Sequence, residues 1–206
     1  MRKALPIFML AAICAAPVAA APPSISLKAA PTVVTYGGTT TLSGVLSTQK
    51  TGEAIDIQAQ ACGQNAFKKT ATVTTTAGGA FSYAAKPTEN TNYQAKLKGS
   101  TSAAVTVKVA PIVTLRKRAL GKFSVSVTAA QSFAGKYVVF QRLRRTKWVS
   151  LKKVTLATAK TTTAPTQVTS ATFRIKMPAG LRIRAVLPAT QAATCYLGTK
   201  SKVIRS

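Results

Sequence analysis

Short strand-like runs separated by turn residues recur about every ten residues, and no other feature of the sequence restricts the fold as much. Many short strands at this spacing are typical of a β-sandwich or a barrel. Thr, Val, Ala and Ser dominate the composition, which favours strands over helices. We therefore predict an all-β protein, with strands in the first half at residues 25–28, 39–45, 55–60, 69–74, 80–84, 93–97 and 105–109.

The second half of the chain repeats this pattern. Residues 52–58 align with residues 135–141, and residues 67–73 align with residues 148–154 after a short deletion. Phe81 is matched by Phe173. Self-similarity of this length indicates two tandem copies of one domain. We predict one domain at residues 21–110 and a second, strongly basic domain at residues 111–206, joined near Pro111.

Three segments of the first repeat carry a specific pattern of turn and core residues. They are the Tyr-Gly and Thr-Leu-Ser-Gly opening at residues 36–44, the Gly-Gly-Ala-Phe turn at 78–81 and the Pro-to-Tyr corner at 87–93. These segments resemble the immunoglobulin-like or fibronectin type III-like domains of exported bacterial proteins, and residues 133–136 and 178–182 resemble degenerate versions of them. The resemblance implies two tandem immunoglobulin-like antiparallel β-sandwiches, the second degenerate. It implies no active site, because the matching residues form turns and core.

The N-terminus has the pattern of a secretory signal peptide. Arg2 and Lys3 precede an apolar run at residues 4–16, and the small residues 18–20 provide a cleavage site before Ala21. The run is shorter than the roughly 18 apolar residues that a membrane helix needs, and no later segment reaches that length. We predict a signal peptide at residues 1–20 and a protein that is secreted or periplasmic and associated with the cell envelope.

Two cysteines remain in the predicted mature chain, Cys62 in the first half and Cys195 in the second. In an oxidising compartment they could form a disulfide that joins the two domains. Two separate, partly buried thiols are the alternative, because the sequence does not define connectivity.

The sequence offers little for catalysis or metal binding. It contains no histidine, the commonest general base and transition-metal ligand, and only three carboxylates, Glu53, Asp56 and Glu89. Glu53 and Asp56 are three residues apart at the start of a strand, where their side chains point to opposite faces. We predict a protein that is not an enzyme and that has no cofactor and no metal site.

The charge is concentrated in the second half. The chain has a net charge of +26, and residues 111–206 contain 19 Lys or Arg residues and no Asp or Glu. A surface of one sign attracts polyanions, and arginine forms two-pronged contacts with phosphate or sulfate. The candidate polyanion-binding residues are the dense cluster Arg142, Arg144, Arg145 and Lys147 and the run Arg116, Lys117 and Arg118.

Other basic residues of the second half alternate with apolar ones. At residues 173–177 and 181–185 we predict strands in opposite sheets, with Arg174, Lys176, Arg182 and Arg184 pointing outward. Trp148, beside the dense cluster, could stack on a base or sugar, but its match to Phe67 favours a core or half-core position. The Thr-rich segment 157–170, which contains Pro165, is predicted to be a mobile loop.

These observations favour a non-catalytic module that adheres electrostatically to acidic cell-envelope polymers or other anionic surfaces. Two alternatives remain open. The first is a structural spacer whose cationic surface only keeps it soluble. The second is a nonspecific binder of extracellular nucleic acid, held by the release of counterions.

Overall fold

The computed structural model describes residues 22–192 and 194–206, so the predicted signal peptide lies outside the described residues. Its secondary structure is almost entirely β. The strands of the first half are β1 (Lys28–Ala30), β2 (Val33–Thr35), β3 (Thr40–Val45), β4 (Ala54–Ala61), β5 (Lys68–Thr74), β6 (Ala80–Ala85), β7 (Thr91–Leu97), β8 (Ser100–Thr101) and β9 (Val105–Ala110).

These strands form two sheets. One has the order β1-β3-β6, and the other has the order β2-β9-β7-β4-β5 with β8 added beside β7. All pairs are antiparallel except β2 with β9, which is parallel. Leu42 of the first sheet and Ile55, Ile57 and Tyr93 of the second are buried in the apolar core, because alternate residues of each strand point inward.

The second half forms two further sheets from β10 (Ile112–Ala119), β11 (Lys122–Ala129), β12 (Tyr137–Arg144), β13 (Lys147–Thr155), β14 (Thr158–Thr161), β15 (Gln167–Arg174), β16 (Arg182–Leu187), β17 (Thr199–Lys200) and β18 (Ile204–Arg205), with one short helix, α1 (Ala189–Ala192). The sheet orders are β10-β11-β15-β14 and β13-β12-β16-β17, with β18 also beside β16. In immunoglobulin terms this is A-B-E-D against C′-C-F-G, the order of an immunoglobulin-like sandwich.

Three phenylalanines join the two sheets of the second half. The ring centroids of Phe123 on β11 and Phe140 on β12 are 5.4 Å apart, and that of Phe173 on β15 is 5.8 Å from Phe123 and 5.1 Å from Phe140. Aromatic pairs in tilted or edge-to-face contact add to the free energy gained from burial alone. The cluster therefore fixes which ends of the two sheets lie together.

Several local irregularities occur at matching places in the two halves. The β4–β5 ladder shifts register after Ile57 and the β12–β13 ladder shifts after Phe140, at positions that the sequence alignment pairs. Ser102 accepts a hydrogen bond from the Ala95 amide at 2.9 Å through its side chain, and Ser201 accepts one from the Ala185 amide at 3.0 Å. Both serines are buried just after a two-residue strand.

Most of the predicted strands of the first half are confirmed to within two residues at each end. The first is displaced, because β1 begins at Lys28 and Ile25 makes only an isolated bridge to Leu46. In the second half, the strand predicted at 173–177 ends at Arg174, because its partner β11 begins opposite, at Lys122.

The prediction of a mobile loop at residues 157–170 is wrong. This segment contains β14 and the start of β15, which pair with each other around a turn closed by the hydrogen bond from the Thr162 amide to the Thr166 carbonyl at 3.1 Å. Thr169 is completely buried, and its hydroxyl accepts a hydrogen bond from the Phe133 amide at 2.9 Å. Threonine favours strands, so a Thr-rich segment without apolar alternation still forms an edge hairpin.

A compact joint links the two halves. Cys62 and Cys195 form a disulfide with their Cα atoms 5.3 Å apart. Beside it, the Asn90 amide donates to the Cys195 carbonyl at 2.9 Å and the Leu197 amide donates to the Val109 carbonyl at 2.8 Å. The Tyr36 and Thr166 hydroxyls are 3.0 Å apart and form one more hydrogen bond between the halves. The joint therefore combines a covalent bond with backbone hydrogen bonds.

Candidate polyanion-binding surface

Cations from several separate chain segments come together at the end of the second half that is opposite the disulfide. Strand pairing places them there, since Lys122 lies opposite Arg174, Arg144 opposite Lys147 and Arg182 opposite Arg205. The phenylalanine cluster holds the two sheets in this alignment. We call this surface the basic end; it consists of Lys117, Arg118, Lys122, Arg144, Arg145, Lys147, Arg174, Lys176, Arg182 and Arg205.

The β12–β13 hairpin carries the densest part of the basic end. Its turn consists of Arg145 and Thr146, because Arg144 pairs with Lys147. Arg145 has a φ of 53°, in the left-handed region that is unfavourable for residues with a side chain. The hairpin continues four residues beyond Phe140, which is about 13 Å of extended chain. Arg144, Arg145 and Lys147 are exposed at its tip.

Arg142 is placed differently from its three neighbours in the sequence. It follows Phe140 by two residues and lies opposite the buried Ile183, so it belongs to the core-facing side of β12. Its side chain is half-buried, and its Nε atom is buried without a hydrogen-bond partner among the described residues. Arg142 therefore covers the open end of the core, whereas the other three cations of the cluster face solvent.

The second candidate run, at the end of β10, is divided between two surfaces. Lys117 and Arg118 are exposed at the basic end, and the Arg118 Nε donates to the Ser124 hydroxyl at 2.8 Å. Arg116 and Arg118 also line a shallow cavity of about 400 Å³ on the outer face of the β10-β11-β15-β14 sheet. Its other lining residues are mainly small hydroxyl side chains from β10, β11 and β15. The structure thus brings Lys117 and Arg118 near the hairpin end, but places Arg116 further along the sheet.

The outer face of the other sheet carries cations stacked on aromatic rings. The Arg184 guanidinium carbon lies 4.0 Å from the centre of the Trp148 ring, and the Arg184 Nε donates to the Gln141 Oε1 at 2.9 Å. Lys153 Nζ lies 4.9 Å from the centre of the Tyr137 ring. Partial burial lowers the pKa of Arg184, which still remains a cation.

The two side chains of this stacked pair differ in part from what the sequence predicts. Trp148 is half-buried on the outer side of β13, beneath Arg184, which agrees with a half-core position and not with one in the core. Arg184 does not project freely into solvent, because it covers the indole ring. The strand alternation predicted that Arg184 points outward, but not its contact with Trp148 of β13 across β12.

The carboxylates of the first half do not compensate the positive charge of the basic end. Among residues 22–192 and 194–206 the one ion pair joins Lys69 Nζ to Asp56 Oδ1 at 2.8 Å. Lys69 and the Thr72 hydroxyl, which donates to the same oxygen at 2.8 Å, lower the pKa of Asp56. Glu89 lies near the joint, where burial raises its pKa. The cations of the basic end therefore have no acidic side chain of this chain beside them within the described part.

Lys122 is a member of the basic end that the sequence alone did not single out as a binding candidate. It joins this surface because β11 pairs with β15, which is far away in sequence, so that Lys122 lies opposite Arg174. The only signal of its position is the alternation of apolar and polar residues along β11.

The described residues contain no group of three or more Cys, Asp or Glu side chains that could hold a metal ion. No helix within the described ranges is long and apolar enough to cross a membrane.

No family model and no curated protein matches the chain. Among solved structures, the crystal structure of bovine butyrophilin is similar to it, with 11% sequence identity and a TM-score of 0.36. The match covers 90% of this chain and 98% of that chain. The strand order of the two sheets of the second half is what shows the immunoglobulin-like fold.

Proposed function

We propose that this chain is a secreted or periplasmic, non-catalytic module that adheres to acidic polymers of the cell envelope through the basic end of its second half. The observation that supports this most directly is the convergence of cations from four separate segments on one end of a sandwich half that contains no Asp or Glu. Their side chains are exposed, apart from the half-buried Lys122. The electrostatic field of these cations attracts polyanions over a distance of about a Debye length.

We also propose that the two halves are tandem immunoglobulin-like domains, at residues 21–110 and 111–206, as in exported bacterial proteins. The matched register shifts after Ile57 and Phe140 and the matched serine hydrogen bonds of Ser102 and Ser201 support duplication of one domain. The side chains of the first half carry both signs of charge, whereas all charged side chains of the second half are basic. The binding role is therefore assigned to the second domain.

Retention on heparin and on envelope fractions, measured as the salt concentration is raised, tests the adhesion. Phosphate or sulfate contacts by arginine and lysine release counterions, so retention should fall steeply with salt. The variant Arg144→Glu, Arg145→Glu and Lys147→Glu should elute at clearly lower salt than the wild type. A matched control carries the same charge change on exposed first-half lysines, Lys28→Glu, Lys50→Glu and Lys86→Glu.

Equal losses of retention in the two triple variants would contradict a localised binding surface. Binding would then depend only on the net positive charge of the whole molecule. Loss of all retention at physiological ionic strength in the wild type would favour a structural spacer. Tighter retention on DNA than on envelope fractions at matched salt would favour the nucleic-acid alternative.

A further inference from the structure

A groove of about 410 Å³ runs along the open side of the second half, between the edge of β10 and the short strands β17 and β18. Thr35 of the first half also lines it. Its apolar lining comes from both sheets and consists of Pro111, Ile112, Val113, Leu115 and Ile204. Ile112 is 39% exposed, whereas Val113 and Leu115 are buried and form the floor.

The corresponding side of the first half is closed by backbone pairing. There β2 lies parallel to β9, with Val34 opposite Val109, and Val34 is buried. In the second half β10 pairs with β11 along its length, and within the described ranges no strand pairs with its other edge. The groove therefore lies where the first half has a strand.

Three cations border the groove, namely Arg116 on β10 and Lys200 and Lys202 near β17 and β18. Ser201 lies between the two lysines and is turned inward, since its hydroxyl accepts from the Ala185 amide at 3.0 Å and donates to the Lys202 carbonyl at 2.8 Å. Neighbouring residues of an extended chain point to opposite sides, so Lys200 and Lys202 both face outward. Both lysines and Arg116 are exposed.

We propose that this groove binds a single-chain amphiphilic anion of the fatty-acid type. The aliphatic floor would cover the alkyl chain, and the three cations would hold the carboxylate at the rim. The volume is within the range of about 300–1,000 Å³ that is usual for small-molecule sites. The proposal is independent of the adhesion proposed above, which uses a different set of exposed cations.

The mixed lining disfavours two other kinds of ligand. A hydrophilic polyanion would not benefit from an aliphatic floor. Hydrophobic stabilisation requires that apolar surface of the groove and apolar surface of the ligand both be removed from water. A neutral alkyl compound would gain no electrostatic attraction from the three cations, which are exposed and remain hydrated. Charge and apolar surface together therefore select an anion that carries a hydrocarbon chain.

Laurate binding to the residue 21–206 chain, with the disulfide intact, tests this proposal. Titration calorimetry below the micellar concentration should show one saturable site, and the largest amide shifts in NMR spectra should fall at residues 112–116 and 199–204. Ile112→Ser should weaken binding about tenfold, because it removes the exposed part of the aliphatic lining of the groove. Lys200→Gln with Lys202→Gln should weaken it about tenfold through loss of charge-assisted hydrogen bonds.

Matched controls separate these effects from general ones. Leu120→Ser changes an apolar side chain that is 77% exposed outside the groove, and Lys152→Gln with Lys153→Gln removes two exposed lysines from β13. Neither control should alter laurate binding. Ile112→Ser keeps the net charge, so it should leave heparin retention unchanged even where laurate binding is lost.

The proposal is overturned if laurate binds the groove variants and the wild type equally, or if no saturable site is found. Dodecyl maltoside, a neutral compound with the same alkyl chain length, should bind as a monomer at least about tenfold more weakly than laurate. Equal binding of the two compounds would also overturn the proposal, because the cations would then contribute nothing.

Discussion

At the scale of single residues, Asn90 connects more chain segments of the joint than its neighbours do. Its side-chain oxygen accepts from the Val109 amide at 2.8 Å, and its Nδ2 donates to the Thr194 carbonyl at 3.1 Å. Its own carbonyl accepts from the Cys62 amide at 2.9 Å. The Asn90 side chain thus ties the last strand of the first half to a segment of the second.

Asn90→Ala should lower the free energy of unfolding by about 1–3 kcal/mol, because the variant leaves the Val109 amide and the Thr194 carbonyl without these partners. Urea denaturation followed by circular dichroism measures the change. Asn65→Ala, in an exposed loop, is the control and should alter the stability by less than about 0.5 kcal/mol. Equal effects of the two substitutions would show that Asn90 does not stabilise the joint.

Trp148 is the only tryptophan of the chain, so its fluorescence reports directly on the contact with Arg184. Arg184→Ala should shift the emission maximum to longer wavelength, because the indole ring loses its cover and becomes hydrated. Arg182→Ala, two residues earlier on the same outward side of β16, should leave the spectrum unchanged. An unshifted spectrum for Arg184→Ala would mean that the stacked pair does not persist in solution.

At the scale of elements, the β12–β13 hairpin combines its proposed binding role with an unfavourable backbone conformation at Arg145. A tip that carries Arg144, Arg145 and Lys147 would be easier to form with glycine at the positive-φ position. Arg145 occupies that position instead, so a cation stands at the outermost point of the basic end.

Arg145→Gly should raise the free energy of unfolding by about 0.5–1 kcal/mol, because glycine adopts positive φ without a steric penalty. The same substitution should lower the salt concentration at which the protein elutes from heparin. Arg144→Gly removes the same charge from a strand position and should instead lower stability by about 0.5–1 kcal/mol. Thermal or urea unfolding of the pair distinguishes the backbone effect from the charge effect. Stabilisation by both substitutions, or by neither, would contradict this account of the turn.

The elements also show which parts of the structure the sequence could predict. Strands such as β4 and β7 were predictable because apolar residues alternate along them and turn residues bound them. The β14 strand was not, because its threonine-rich sequence has no such alternation. The hairpin cluster could be predicted because its cations are adjacent in sequence. The remainder of the basic end depends on pairing between distant strands, such as Lys122 with Arg174, which local patterns do not encode.

At the scale of the whole molecule, the joint and the basic end lie at opposite ends of the second half. The joint contains the disulfide and the hydrogen bonds of Asn90, whereas the hairpin tip and the residue 175–181 segment lie at the far end of the strands. The first half is thus attached where it does not cover the proposed binding surface. Attachment at one end leaves the cations accessible to a large polymer.

Replacing both cysteines, as Cys62→Ser with Cys195→Ser, should lower the free energy of unfolding by about 2–5 kcal/mol. The disulfide joins residues separated by 133 positions, and closing so long a loop reduces the entropy of the unfolded chain. Urea denaturation of the variant and the wild type measures the difference. Heparin retention should be unchanged, since the basic end is remote from the bond. A stability equal to that of the wild type would indicate that the disulfide does not form in solution.

The same bond determines what a protease can release. Any single cut between Cys62 and Cys195 leaves two fragments that remain covalently attached. The arginine- and lysine-rich hairpin at Arg144–Lys147 is the most obvious target for a trypsin-like enzyme, and it lies inside this loop. A chain nicked there would keep its mass under non-reducing conditions and separate only after reduction. The protein could therefore present its most cleavable segment to the surroundings without losing either half.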